Sequence, residues 1–289
     1  MFITYAQNYE DVMLWRALKH VPSGFYVDIG AFDPVIDSVS KAFYDRGWRG
    51  VHVEPIAAYA ARLRAARPDE VIVEKCIGAQ SGRVTLHVVE DSGLSTLVEE
   101  NARRAEADLG FKRVEQDADI VTLEELLVPY QGRDIHWLKI DVEGAERDVL
   151  LGWNHRRDRP WVMVIEATVP NSQCDNHDQW EPLLLAAGYQ PVYFDGLNRF
   201  YVAQERMELA EAFKSPPNVF DKFLPASLIR ALDTQAQLTR ERDNCRAEAR
   251  EVQSRLEEEL ESCRSALKNA ERSTASKLWK RATSSWSRS

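Results

Sequence analysis

Residues 26–33, Tyr-Val-Asp-Ile-Gly-Ala-Phe-Asp, constrain the fold of this chain more than any other stretch. An apolar run closes on an acid and a glycine, and a second run, Gly50-Val51-His52-Val53, closes on Glu54. A strand that turns sharply at Gly30 lets the backbone come close to a ligand. An acid at the end of the next strand is placed to hold ribose hydroxyls. Together these features point to a nucleoside-containing cofactor. Only one of the three glycines of the dinucleotide fingerprint is present, so a pyrophosphate is poorly provided for. S-adenosylmethionine, with ribose and adenine but no phosphate, fits better.

Apolar runs alternate with helical patterns up to about residue 204, the rhythm of βαβ units around a largely parallel sheet. The runs predict strands near 25–30, 50–54, 71–76, 135–140 and 161–166, with helices near 38–46, 56–66 and 143–151. Residues 84–88 and 120–123 read as short extra strands. A helix from about 177 to 187 stops at Gly188. The last two runs, 191–194 and 200–203, flank Asp195-Gly196-Leu197-Asn198, a turn too short for anything but an antiparallel pair. A parallel sheet ending in such a hairpin is unlike the six-stranded dinucleotide fold.

With 289 residues, the chain has room for one sizeable α/β domain and an appendage. Its formal net charge of -9 argues against general nucleic-acid binding. No apolar run approaches the roughly 20 residues that span a bilayer, and the first residues do not read as a secretory signal. Cys76, Cys174, Cys245 and Cys263 are widely spaced and read as reduced thiols in a cytoplasmic protein, without a zinc site. The composition changes after Ser215-Pro216-Pro217, which suggests three parts: 1–222, 223–272 and 273–289. In the second part, small or apolar residues recur from Cys245 in steps of 4, 3, 4, 4, 3, 4 and 3. This predicts a coiled coil, relaxed around Leu260, and hence self-association; a lone charged helix is the other reading. The third part is basic, with Trp279, Ala282 and Trp286 on one helical face beside Lys280 and Arg281. It reads either as a peripheral membrane contact or as a solvated terminus.

Several stretches carry a resemblance: Tyr5-Ala6-Gln7-Asn8-Tyr9-Glu10-Asp11, Val27-Asp28-Ile29-Gly30-Ala31, His52-Val53-Glu54-Pro55 and Gly93-Leu94-Ser95-Thr96-Leu97. Leu138-Lys139-Ile140-Asp141-Val142-Glu143-Gly144-Ala145-Glu146 and Gly196-Leu197-Asn198-Arg199-Phe200-Tyr201-Val202 complete it. Residues 5–204 resemble an FkbM-type S-adenosylmethionine-dependent methyltransferase. The resemblance implies a Rossmann-like class I methyltransferase sheet, mostly parallel with an antiparallel last hairpin. The α-helical coiled-coil extension lies outside it.

Asp28 could accept hydrogen bonds from the methionine amino group, or serve as a turn or helix-cap residue. Gly30 shares its strand end, and Glu54 would take both ribose hydroxyls. The resemblance sets Cys76 and Ile77 beside the adenine, and Gln7, Glu10 and Asp11 over the pocket. It also sets Asp141 and Glu143 near the transferred methyl. These two acids could hold the methionine portion, orient a hydroxyl, or bind Mg²⁺; acids two residues apart are a weak metal signal, and no metal is assigned. Glu166, His177 and Asp141 are the candidate catalytic residues, with Glu166 or His177 as base. Asn198 and Arg199 either contact substrate or close the hairpin.

The expected activity is O-methylation of a hydroxyl on a glycan, a saccharide intermediate or a related natural product, in the cytoplasm or at the inner face of the membrane. An NAD-dependent oxidoreductase and an inactive coiled-coil scaffold are the alternatives.

Overall fold

The computed structural model describes residues 1–90 and 92–286, with side chains as far as residue 279. Contacts divide the chain into two units at Ala226. The first unit begins with β1 (Phe2–Thr4), α1 (Glu10–Leu18), β2 (Phe25–Ile29), α2 (Lys41–Tyr44), β3 (Arg49–Val53) and α3 (Ala57–Ala66). It continues with β4 (Val71–Val73), β5 (Cys76–Gly78), β6 (Gly82–Val89), α4 (Glu99–Leu109), β7 (Arg113–Thr122) and α5 (Leu123–Leu127). Then come β8 (Trp137–Ile140), α6 (Glu146–Leu151), β9 (Val162–Glu166), α7 (Glu181–Ala186), β10 (Tyr189–Phe194), β11 (Asn198–Ala203) and β12 (Phe223–Pro225). Among its described residues the second unit is one helix, α8 (Ala226–Trp286). Among the described residues no helix is long and apolar enough to cross a membrane.

Seven strands form the main sheet in the order β10-β11-β9-β8-β2-β3-β4. β4, β3, β2, β8 and β9 run parallel, and β11 pairs antiparallel with both β9 and β10. Every residue of β2, β8 and β9 is buried, as expected where helices cover both faces of a parallel sheet. Alternation sends Val27, Ile29, Val53, Leu138, Ile140 and Ile165 into one core. Tyr26, Trp137, Val164 and Phe200 go into the other, where Tyr26 and Trp137 stack with centroids 4.5 Å apart.

Several boundaries differ from those the sequence suggests. The run 71–76 is two strands: after Val73 the chain leaves the main sheet, and Cys76–Gly78 pairs with Ile120–Thr122 in a separate sheet of order β5-β7-β6. The short strands expected at 84–88 and 120–123 belong to a long antiparallel pair, Gly82–Val89 with Arg113–Thr122, and Leu123 already starts a helix. The helix expected over 38–46 shrinks to one turn, because Ser38 and Ser40 hold the buried Arg67 guanidinium instead. The helix expected from 143 starts at Glu146, since Glu143 and Gly144 both have left-handed backbones. Over 177–187, a 3-10 turn at His177–Gln179 precedes the α-helix. Phe223–Pro225 pairs parallel with β1 and so belongs to the first unit.

Along α8, the seam residues Val252, Leu256, Leu260 and Leu267 are each more than half exposed. The tail pattern rests on side chains from Lys280 to Trp286, which lie outside the described residues, as do residues 287–289.

The two central strands of the sheet finish side by side at Gly30. The Asp141 N–H donates to the Ile29 carbonyl at 3.1 Å, while Gly30 and Ala31 donate to the Val53 carbonyl at 3.0 and 3.2 Å. Gly30 has φ +83°, and a Cβ there would overlap the Asp141 carbonyl. Both restrictions demand glycine. Gly30→Ala is therefore expected to cost at least about 2 kcal/mol of stability, through strain and overpacking together. A urea midpoint equal to that of the unsubstituted chain would contradict this account.

Candidate active site

Where β2, β3 and β8 end, their carboxyl edges open a pocket, the usual ligand position in an open α/β sheet. Glu54 lines it, 4 % exposed. Its two oxygens accept the N–H groups of Phe32 at 3.0 Å and Ile56 at 2.9 Å. These bonds fix the carboxylate in orientation and leave further lone pairs for a ligand. Burial nevertheless outweighs them and raises its pKa to about 7.

On one side of Glu54 the wall is apolar, made by Phe32, Ile56, Tyr59, Cys76, Ile77 and Leu86. Phe32 and Tyr59 meet edge to face at 4.9 Å. Cys76 lies against Glu54, and burial lifts its thiol pKa to about 12, so it acts as a small apolar group. The segment Ser92–Leu97 closes this side. It is fastened to the loop after β8 where the Thr96 hydroxyl donates to the Glu143 carbonyl at 2.8 Å, joined by the Asn101 amide at 2.9 Å.

The opposite side is charged and is lined by Gln7, Glu10, Lys139, Asp141 and Glu143. Lys139 Nζ donates to Asp141 Oδ2 at 2.6 Å. Burial disfavours its charge, but Asp141, Asp28 and Glu10 together hold the ammonium protonated above its ordinary range. Glu10 accepts from the Asn8 N–H at 2.8 Å and the Asn198 amide at 3.0 Å. Burial, and then Asp195, raise its pKa to about 8. Glu146 accepts the N–H groups of Gly144 and Val142 and is pushed by burial to about 7. Glu143 and Glu166 are raised well above the carboxylate range by burial and by neighbouring acids, Asp141 first. Asp28, Asp141, Glu10, Glu143 and Glu166 thus share one ammonium.

Of the residues singled out from sequence, Gln7, Glu10, Gly30, Glu54, Cys76, Ile77, Asp141 and Glu143 line this pocket. Glu166 adjoins it, with one oxygen within 4.8 Å of oxygens of Asp141 and Glu143. Asp11 is turned away: its carboxylate accepts the Thr4 hydroxyl and the Tyr5 N–H, tying β1 to α1. Asp28 does not line the pocket either. Strand alternation points it beneath the floor, beside His52 and Lys139, its neighbours in register. Burial opposes its ionisation, but His52 and Lys139 reverse that and hold its pKa near 2. His177 lies outside the lining, among Asp175, Asp178 and Glu181. Asn198 joins Glu10, whereas Arg199 faces Glu181 and the Phe194 ring. Lys139, Phe32, Tyr59 and Glu146 had no assigned role in the sequence. A lone charge inside the apolar strand Trp137-Leu138-Lys139-Ile140 is the signal that marks Lys139.

A family model, that of the methyltransferase FkbM domain, matches residues 28–191. No curated protein matches the chain.

A pH-dependent stability follows from Glu54. Its unfolded pKa is near 4.5 and its folded pKa about 7, so the folded state retains the proton longer. Stability therefore falls as pH rises between those values and levels off above them, by roughly 3 kcal/mol in all. In urea titrations without ligand, Glu54→Gln is expected to lose that share of the difference between pH 4.5 and pH 8. An unchanged difference would refute the assignment.

Proposed function

This chain belongs to the FkbM family of methyltransferases, and on that premise we propose that it carries the methyl group of S-adenosylmethionine to a hydroxyl oxygen of a saccharide or related acceptor. The observation that supports this reading best is Glu54, locked by two backbone N–H groups at the border between the apolar and charged halves of the pocket. A nucleoside with a cationic amino-acid arm has that same gradation. Glu54 would accept the ribose hydroxyls, and the wall of Phe32, Ile56 and Cys76 would cover the adenine. Glu10, which lines the charged half, would balance the ammonium of the arm. The excess of acids repels a pyrophosphate, which disfavours a dinucleotide.

The bound cofactor supplies a methyl group on a sulfonium sulfur, already activated for displacement. The chain's own task is to hold an acceptor oxygen in line with that methyl and to receive its proton. We assign the acceptor end of the site to Asp141, Glu143 and Glu166, whose carboxylates adjoin the pocket, in preference to His177. The fold fits a Rossmann-like class I methyltransferase: the order β4-β3-β2-β8-β9-β11-β10, with β11 reversed, supports that description. An oxygen acceptor on a saccharide is inferred from the habit of the family.

We further propose that α8 pairs with a second copy as a coiled coil, because an isolated helix with an exposed apolar seam gains little by itself. The basic tail would then touch the inner face of a membrane from the cytoplasm.

Calorimetric titration should detect S-adenosylmethionine and S-adenosylhomocysteine but not NADH. Glu54→Ala should weaken both on the order of 100-fold, as loss of two charge-assisted hydrogen bonds implies. Binding of NADH alone would replace this reading with a dehydrogenase. For the acceptor, glycan extracts from cells with and without the gene should differ by one CH₂ in mass; identical spectra would exclude an extractable glycan. In sedimentation, a chain ending at residue 226 should be monomeric and the full chain not. Removal of 273–289 should release it from the membrane fraction, and unchanged fractionation would end the tail proposal.

A further inference from the structure

The charged end of the pocket contains oxygens with nothing to bind. Asp141 and Glu143 come from the loop after β8, and Glu166 is the last residue of β9. One oxygen from each lies within 4.8 Å of the other two. Lys139 occupies Asp141 Oδ2, leaving Oδ1 to turn elsewhere. Glu143 Oε2 and Glu166 Oε2 are buried and meet no hydrogen-bond donor, and the whole of Glu166 is only 6 % exposed. Asn198 lies opposite Glu166 in the antiparallel ladder, so the two side chains share a face. Its amide nitrogen is used by Glu10 and Asp195, while its Oδ1 is buried without a donor.

Each such acceptor, left unpaired, costs on the order of 1–3 kcal/mol. Three of them around one corner of a pocket call for a positive partner. Lys139 cannot be that partner for all, since its ammonium is already committed to Asp141. A hard cation accepts carboxylate and amide oxygens together and leaves room for further oxygens, such as those of an acceptor. We propose that Asp141, Glu143 and Glu166 hold one divalent cation of the Mg²⁺ or Mn²⁺ type, with its open positions facing the pocket. Lys139 fixes Asp141 from behind as a positioning residue. A hydroxyl bound to the cation gives up its proton more readily, and that consequence rests on the methyltransferase reading above. The binding site itself does not.

The test uses the full chain, stripped with a chelator and titrated with Mn²⁺ while free ion is read by electron paramagnetic resonance. One Mn²⁺ per chain is expected, displaced by excess Mg²⁺. Glu166→Gln and Glu143→Gln should each weaken binding by more than roughly 10-fold, a loss that even outer-shell partners can cause. Glu54→Gln should leave it intact. Thermal melting of each variant separates loss of the site from loss of the fold. Absence of binding at millimolar Mn²⁺, or binding unaffected by Glu166→Gln and Glu143→Gln, overturns the proposal. So does competition between S-adenosylhomocysteine and Mn²⁺, because the acids would then serve the cofactor's ammonium. If the homocysteine compound binds and Mn²⁺ does not, the cation site fails while the methyltransferase reading stands. The reverse result removes the methyltransferase reading and keeps the site.

Discussion

The crossing at Gly30 and Asp141 governs the rest of the molecule. Two parallel strands can finish level with each other only if one chain turns away at once, and the left-handed Gly30 does so against the Asp141 carbonyl. That turn presents the Phe32 N–H to Glu54, which in turn orients the carboxylate at the end of the neighbouring strand. On the other side, the loop after β8 is left free to adopt left-handed geometry at Glu143 and Gly144, pinned by Thr96 and Asn101. The loops after β2 and β8 therefore share one close contact, and the end of β3 joins them through Glu54. The pocket is set by backbone hydrogen bonds more than by its side chains.

Beneath that floor runs a buried line of charge. Arg67 lies 3.6 Å from Glu70, Glu70 lies 2.8 Å from His52, and His52 lies 3.7 Å from Asp28. Lys139 stands beside Asp28 in register and binds Asp141 at the pocket. Ionic groups this deep are costly unless each is paired and hydrogen-bonded. Here the Glu70 carboxylate also accepts from the Tyr26 hydroxyl and the Gly50 N–H, and Arg67 donates to the Ser38 and Ser40 hydroxyls and to the Pro34 carbonyl. Asp28 thus bears on the pocket through Lys139, which does line it.

This explains which parts of the site were legible in the sequence. Apolar runs ending in Asp-Ile-Gly and in Glu54 identified the ligand edge, because strand ends and acids are local features. Which way Asp28 faces depends on period-two alternation: Val27 and Ile29 point into one core, so Asp28 must point to the other side, where His52 and Lys139 flank it in register. The division of 71–76 between two sheets was not legible, because Val71-Ile72-Val73-Glu74-Lys75-Cys76 has no Gly or Pro to mark a break. The length of β7 was hidden for a different reason. Glu115, Gln116 and Asp117 are exposed on a hairpin outside the main sheet, where polar residues look like loop. The pairing of Phe2–Thr4 with Phe223–Pro225 joins segments too distant for any local pattern to announce.

An acid-rich pocket carries a constraint for the proposed chemistry. Methyl transfer begins with a positive sulfur and ends with a neutral one, so negative charge placed against the sulfur would stabilise the reactant more than the transition state and slow the step. The ammonium of the same arm keeps its charge throughout, and an acid beside it strengthens binding without that penalty. Glu10 suits that second position because it is already engaged by Asn8 and Asn198. A tethered carboxylate cannot follow the charge as it moves. Asp141, Glu143 and Glu166 offer their oxygens to the proposed cation instead, and those of Glu143 and Glu166 include one each that is buried and unpaired. Lys139, between the two groups, keeps the pocket from carrying so much negative charge that every carboxyl would simply be protonated.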